Sequence, residues 1–303
     1  MNVSGDDWRA NTRLRVRRNS WHGIKPLVSR ALYLPIVNPL ARGAASLVLG
    51  SAALHRLPFR GRAEYVLASG ERVVLLDARE DQVAKDLLWG GGAPVSRAAA
   101  NVLRYVERGK GTFLDIGAYS GLFALIAAKA GMRAIAFEIL PENYFLTARN
   151  IVANDLAERA EVRLCGVSDH AGAIVMPRST GSAAHPSSMS LAADYVEGVS
   201  IPTITIDSLG LGGPMLWKLD VEGFEWSVLE GARETIRAHT PDIICEVLPQ
   251  CRQAKRIEEM LKPLGYRFYL SLDSGLEERS EIVPTHEGWD WIFTLEPAGQ
   301  GPG

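Results

Sequence analysis

Cysteine is scarce in this sequence: Cys165, Cys245 and Cys251 are the only three in 303 residues. An odd number without metal-ligand spacing excludes a disulfide framework and favours reduced thiols in a cytoplasmic setting. Long uninterrupted apolar runs are missing too. The most apolar stretch, residues 31–54, is broken by Pro35, Pro39 and Arg42, which excludes a spanning helix. No signal peptide is evident, because the first apolar stretch starts far from Met1 and lacks a convincing cleavage site. Acid is absent between Trp8 and Ala63, where eleven Lys or Arg fall, from Arg9 to Arg62. Setting aside those eleven bases and the two acids Asp6 and Asp7 leaves 22 bases against 33 acids, so the net charge of −2 hides a basic arm on an acidic body. Nucleic acid is a poor substrate for such a body. For the arm, peripheral membrane contact and a plain solvated face both stay open.

What is present is mostly ordinary globular chain, 47% apolar and 22% charged, long enough for a substantial core. Residues 1–20 read as poorly ordered, and a helical arm follows to about Leu57. Glu64–Leu67 and Arg72–Leu76 read as a hairpin around Ser69-Gly70, with a helix over Asp81–Leu88 and a joint at Gly90-Gly91-Gly92. Ser96 is placed to cap a helix through Glu107.

From Thr112 onward short apolar runs alternate with amphipathic helices, the pattern of a parallel sheet wrapped by helices. Strands are expected at Phe113–Ile116, Ala134–Phe137, Val162–Val167, Val199–Ile206, Met215–Leu219 and Asp242–Val247. The intervening helices cover Leu122–Ala130, Glu142–Asn154, Trp226–Arg237 and Arg256–Leu264. Tyr266–Leu270 and Trp289–Leu295 come last, as an antiparallel hairpin at one edge. Residues 169–200 are too long for an ordinary connection and suit a lid. The architecture expected is a Rossmann-like α/β sheet with a helical N-terminal extension. The basic arm and hairpin take 1–95 and the main domain 96–297.

The first strand ends in Asp115 and runs directly into Gly117-Ala-Tyr-Ser-Gly121. Glycines permit a tight turn and close backbone approach to a ligand, and the helix behind them offers free amides. Any strand-to-helix turn of a wound sheet wants glycine, so this alone is weak. Glu138 ends the second strand, 23 residues after Asp115, where a carboxylate can accept from both hydroxyls of a ribose. It can equally cap the helix that starts at Pro141. Asp169, after the third strand, is placed to meet an adenine amino group. One polar group after each of three successive strands points to an adenosine-containing cofactor.

At this point the sequence resembles the FkbM family of methyltransferases. The matching pieces are Asp-Ile-Gly-Ala-Tyr-Ser-Gly (115–121), Ala-Phe-Glu-x-x-Pro-Glu-Asn (136–143), Asn150 to Asn154, Cys-Gly-Val-Ser-Asp (165–169) and Thr-Ile-Asp-Ser-Leu (205–209). The most specific are Lys-Leu-Asp-Val-Glu-Gly-Phe-Glu (218–225) with Leu-Glu-Gly-Ala (229–232), and Pro-Asp-Ile-Ile-Cys-Glu-Val (241–247). The resemblance implies a class I fold using S-adenosyl-L-methionine, in most members to methylate a hydroxyl of a sugar or secondary metabolite. The cofactor would lie against Asp115, Gly117, Ala118, Tyr119, Gly121, Glu138, Asn143, Ser168 and Asp169. Tyr119 departs from the family, which commonly has Asn there.

Methyl transfer to oxygen needs a proton acceptor near the acceptor hydroxyl. Asp220 and Glu246, after neighbouring strands, stand where a base belongs, and they leave a Mg2+ ion open as a second cofactor. Lys218 shares a strand face with Asp220 and would keep it ionised or orient the hydroxyl; an internal ion pair accounts for it equally well. Glu222 flanks the same segment. His185, in the long insertion, is the histidine best placed for a general base. Trp217, Trp226, Trp289 and Trp291 read as packing rather than a sugar platform. Other readings remain: N-methylation on the same fold, a nicotinamide oxidoreductase, and a non-catalytic cofactor binder.

Overall fold

Strands that are apolar on both faces cannot sit at a surface, so Met215–Leu219 and Phe113–Ile116 must be flanked by other strands and covered above and below. A computed structural model of the chain describes residues 62–76, 81–89, 92–94, 96–177 and 198–297. The basic arm, the apolar stretch 31–54, Gly90, Gly91 and His185 lie outside the described residues. An antiparallel hairpin comes first, β1 (Ala63–Val66) with β2 (Arg72–Leu75). Helices α1 (Gln82–Trp89) and α2 (Arg97–Glu107) follow. Ser96 Oγ accepts from the Ala99 amide at 3.1 Å and so caps α2.

The wound part runs β3 (Thr112–Ile116), α3 (Leu122–Lys129), β4 (Arg133–Glu138), α4 (Pro141–Ala153) and β5 (Ala160–Leu164). After β6 (Gly166–Val167), β7 (Gly172–Pro177) and β8 (Gly198–Ile204) it continues with β9 (Met215–Leu219), α5 (Glu225–Glu230), α6 (Arg233–His239) and β10 (Asp242–Glu246). Helix α7 (Ala254–Leu261) and strands β11 (Arg267–Leu272), β12 (Gly275–Arg279) and β13 (Asp290–Thr294) complete it.

Eight strands form one sheet in the order β12-β11-β13-β10-β9-β3-β4-β5. The five from β5 to β10 pair parallel, and β13, β11 and β12 pair antiparallel beyond them. The chain leaves β3 towards β4 and returns on its other side at β9. That reversal opens a crevice outside the carboxyl ends of β3 and β9, the place where a wound sheet binds its ligand. The fold is thus Rossmann-like, with a reversed edge. One sheet face, carrying Leu114, Trp217, Leu219, Cys245 and Trp291, lies in the apolar core. The pairs Asp115↔Lys218 and Glu246↔Asp290 occupy alternate positions and so share the other face.

The structure differs from the sequence expectations at four places. The expected strand Val162–Val167 is two strands, because the chain changes sheets at Cys165: β5 stays in the large sheet and β6 joins β8 and β7 in a small one. The long connection begins with strand β7 rather than loop, and β7 pairs antiparallel with β8, the strand expected at Val199–Ile206. The expected helix Trp226–Arg237 is broken at Gly231-Ala232 into α5 and α6. Asp207 caps the second piece through the Glu234 and Thr235 amides, at 3.2 and 2.8 Å. Last, β13 lies between β10 and β11, so the edge hairpin is β11–β12; polar Glu277 and Glu278 conceal β12 in the sequence.

Candidate active site

The turn after β3 is held in left-handed backbone by Gly117 (φ +84°), Tyr119 (φ +53°) and Gly121 (φ +78°). Gly117 is needed for more than its dihedral: an added Cβ would lie 1.9 Å from the Asp220 carbonyl oxygen. The turn after β3 and the loop after β9 therefore touch backbone to backbone. Tyr119 adopts a conformation that Asn takes more readily, so the departure from the family residue leaves the turn intact.

Glu138, at the end of β4, is buried and is the hub of this turn. Its Oε2 accepts from the Tyr119 amide at 2.8 Å, and its Oε1 from Ile139 and Leu140 at 2.8 and 2.9 Å. Burial raises its pKa, against the pull of these amides and of the Asn143 side chain. Of the two sequence readings of Glu138, the structure shows the cap: Oε1 shapes the start of α4, while Oε2 holds the Tyr119 amide. Asp115 is buried one strand over. Its Oδ2 accepts from the Ala124 amide at 2.9 Å, and its Oδ1 has no hydrogen-bond partner among the described residues. Burial lifts its pKa to about 7, with the Lys218 charge opposing.

The second half of the site is a charged ladder on β9, β10 and β13. Lys218 is buried, donates from Nζ to Asp220 Oδ2 at 2.7 Å, and stands 4.7 Å from the Phe123 ring centroid. Burial works against its charge, but Asp220, Asp115 and Asp290 more than restore it, so it stays protonated. Burial would raise Asp220 as well. The Lys218 charge, its hydrogen bond and a hydrogen bond with Glu246 outweigh that and hold Asp220 below the usual range. Glu246 moves the other way, to about 8, by burial and then by the Asp220 charge. Asp290 is raised by burial. At neutral pH one proton therefore belongs to the Asp220–Glu246 pair, with the negative charge on Asp220.

This arrangement fits a divalent metal poorly. An ammonium already occupies one oxygen of Asp220, and a proton joins that residue to Glu246. Among the described residues no three His, Cys, Asp or Glu side chains are grouped to hold an ion.

Around the crevice the structure gathers Asp115, Gly117, Ala118, Tyr119, Gly121, Glu138 and Asn143 with Lys218, Asp220 and Glu246. Glu222 is exposed on the loop after Asp220, at φ +52°. Ser168 and Asp169 follow β6, whose Gly166 lies against Ile139, the neighbour of Glu138. Asp169 accepts from Ser168 Oγ at 3.0 Å and lies 2.6 Å from His170 Nδ1. A Cβ added at Gly231 would meet Ser168 O at 2.0 Å. That places Ser168 beside the C-terminal end of α5. Of the tryptophans, Trp217 and Trp291 are core, Trp226 stacks with Arg256 at 4.2 Å, and Trp289 is half exposed. Sequence reasoning missed Phe123, Asp290, Thr147 and Asp81. For Asp290 a signal existed: in Trp289-Asp290-Trp291, alternation puts the acid on the face opposite the core tryptophan.

Residues 115–268, about half of the chain, match the family described as the Methyltransferase FkbM domain. Among solved structures the chain is similar to methyltransferase FkbM from Methylobacillus flagellatus KT at 16% identity and TM-score 0.45, covering 70% of this chain and 55% of that one. It is also similar to a SAM dependent methyltransferase from Aquifex aeolicus, at 12% identity over 65% of this chain and 88% of that one, with TM-score 0.35. A precorrin-6y C5,15-methyltransferase from Geobacter metallireducens GS-15 aligns at 12% identity over 66% and 87% of the two chains, with TM-score 0.37. The chain thus spans little more than half the length of the first of these. No curated protein matches it.

Proposed function

Since the chain belongs to the FkbM methyltransferase family, we propose that it uses S-adenosylmethionine to methylate a hydroxyl of a sugar or secondary metabolite. The observation that carries this reading is the Lys218–Asp220–Glu246 ladder beside the Gly117–Gly121 turn. Cofactor loop and proton-accepting pair meet through Gly117 and the Asp220 carbonyl, so a cofactor held by one would lie beside the other. When bound, S-adenosylmethionine supplies an electrophilic methyl on a sulfonium, already a good leaving group. The protein's task is then position and proton transfer.

Glu138 would hold the ribose of the cofactor. Asp220, ionised and partly open to solvent, accepts a hydrogen bond from the acceptor hydroxyl and so fixes its lone pair on the methyl. With the cofactor bound, the Asp220–Glu246 pair would take the hydroxyl proton as the hydroxyl oxygen accepts the methyl group. Lys218 keeps Asp220 ionised from behind and takes no proton itself.

Calorimetry with S-adenosylmethionine and with NAD tests the cofactor; binding of NAD alone would sink the reading. Asp220→Ala tests the site. It should lower kcat by about 10²–10⁴ with cofactor affinity near normal, and a variant that turns over normally removes Asp220 from the chemistry.

A further inference from the structure

The family match begins at Asp115, yet the turn it opens with is bound on one side by chain that comes earlier. Asn150, fully buried on α4, joins the two. Its Nδ2 donates to the Ser120 carbonyl at 2.8 Å, and its Oδ1 accepts from the Leu76 amide at 2.8 Å, just past β2. One side chain thereby ties the cofactor turn to the N-terminal hairpin. One helical turn later Asn154 pairs with Val74 alone in that hairpin, accepting from its amide and donating to its carbonyl, both at 2.7 Å. Beside it Thr147 Oγ1 donates to the Tyr119 carbonyl at 2.9 Å.

A second tie runs through Tyr119. Its hydroxyl accepts from the Gln82 amide at 3.1 Å, the first amide of α1, whose own start is capped by Asp81 through the Ala84 amide at 3.0 Å. The Ser120 hydroxyl lies beside that Asp81 carboxylate. A shorter side chain at 119 would not reach α1. Tyrosine at this left-handed position therefore supplies a contact that the turn itself does not require.

We propose that Asn150 and Tyr119 are positioning residues that make the hairpin β1–β2 and helix α1 part of the cofactor site, bracing the Tyr119-Ser120 backbone from which the Glu138 contact is made. Neither side chain touches the reacting atoms. Each acts through the loop, and loosening it lets the Tyr119 amide drift from Glu138 Oε2. The proposal rests on the S-adenosylmethionine reading above.

The test is isothermal titration of the full-length chain with S-adenosylhomocysteine, with the thermal midpoint measured for each variant. Asn154→Ala is the reference: it removes the same hairpin contact type without touching the turn. It should lower the midpoint and leave Kd within about twofold of wild type. Asn150→Ala should weaken binding roughly tenfold and Tyr119→Phe roughly threefold, the scale of one lost hydrogen bond to an ordered loop. For Tyr119→Phe, KM for S-adenosylmethionine should rise by a larger factor than kcat falls. If Asn150→Ala does not fold, Tyr119→Phe, which deletes one hydroxyl, carries the test. Affinity losses that merely follow the midpoint across all three variants, or variants that bind like wild type, overturn the brace. A wild type that binds no S-adenosylhomocysteine overturns the cofactor assignment and the brace together.

Discussion

Lys218 and Asp220 are two residues apart on one face of β9, with Nζ 2.7 Å from Oδ2, yet only one of them meets solvent: their side chains are 5% and 37% exposed. The cation therefore faces inward, shared between Asp220, Asp115 and the Phe123 ring, while the anion faces the crevice. Removing the cation strands two carboxylates in a poorly solvated place. Lys218→Met should destabilise the fold by about 3–5 kcal/mol, the cost of breaking a buried pair from one side. Urea unfolding measures it, and a variant as stable as wild type would show that the ladder is not ion-paired.

The same ladder sets a pH dependence. Glu246 is raised from 4.5 to about 8, so the folded state holds a proton that the unfolded chain releases near pH 4.5. Its contribution is complete below the unfolded value and fades as pH rises through about 8. Glu246→Gln carries no such titration. Its stability relative to wild type should grow steadily between pH 4.5 and 8, as followed by denaturant midpoints across that window.

The wild-type rate should report the same group. As pH rises through about 8 the Asp220–Glu246 pair loses its proton and becomes a better acceptor for the hydroxyl proton. A kcat/KM profile with an ascending limb near 8 is the expected result. In Glu246→Gln that limb should vanish, and a limb unmoved by the substitution assigns the proton to another group.

Local chemistry was legible in the sequence wherever one residue type had one use. Gly117 and Gly121 mark a turn because other residues resist positive φ, and Glu138 was readable both as a ribose acceptor and as a cap. The wound sheet followed from alternating apolar runs, since a strand buried on both faces has no other solution. What stayed hidden depends on contacts distant in sequence. Asn150 reads as a helix-interior polar residue until Leu76, 74 residues earlier, is seen at its oxygen. The break in Trp226–Arg237 depends on Asp207, and the sheet change at Cys165 on a partner strand 33 or more residues later.

Chelation separates the proton pair from a metal pair. With Lys218 on Asp220 and a proton between Asp220 and Glu246, a divalent ion would have to displace both. EDTA should leave the methylation rate within about twofold of the untreated enzyme, and added Mg2+ should not raise it. A rate lost to EDTA and restored by Mg2+ would return both carboxylates to metal ligation.

Gly117 offers the sharpest test of the junction between the two halves. Its φ of +84° already costs an alanine about 1–2 kcal/mol, but that strain alone would equally penalise Gly223, at φ +100°. The two differ in surroundings: a Cβ at Gly223 meets nothing within 4 Å, whereas one at Gly117 falls 1.9 Å from the Asp220 carbonyl oxygen. Backbone cannot rotate out of the way as a side chain can, so Gly117→Ala must push the cofactor turn and the Asp220 loop apart. Gly117→Ala should therefore lower the thermal midpoint well beyond Gly223→Ala and abolish detectable S-adenosylhomocysteine binding. Gly223→Ala should bind within a few-fold of wild type, since its cost is conformational and local. Equal losses in the two variants would mean that dihedral strain alone accounts for both glycines, and that the cofactor turn and the catalytic loop are not coupled through that contact.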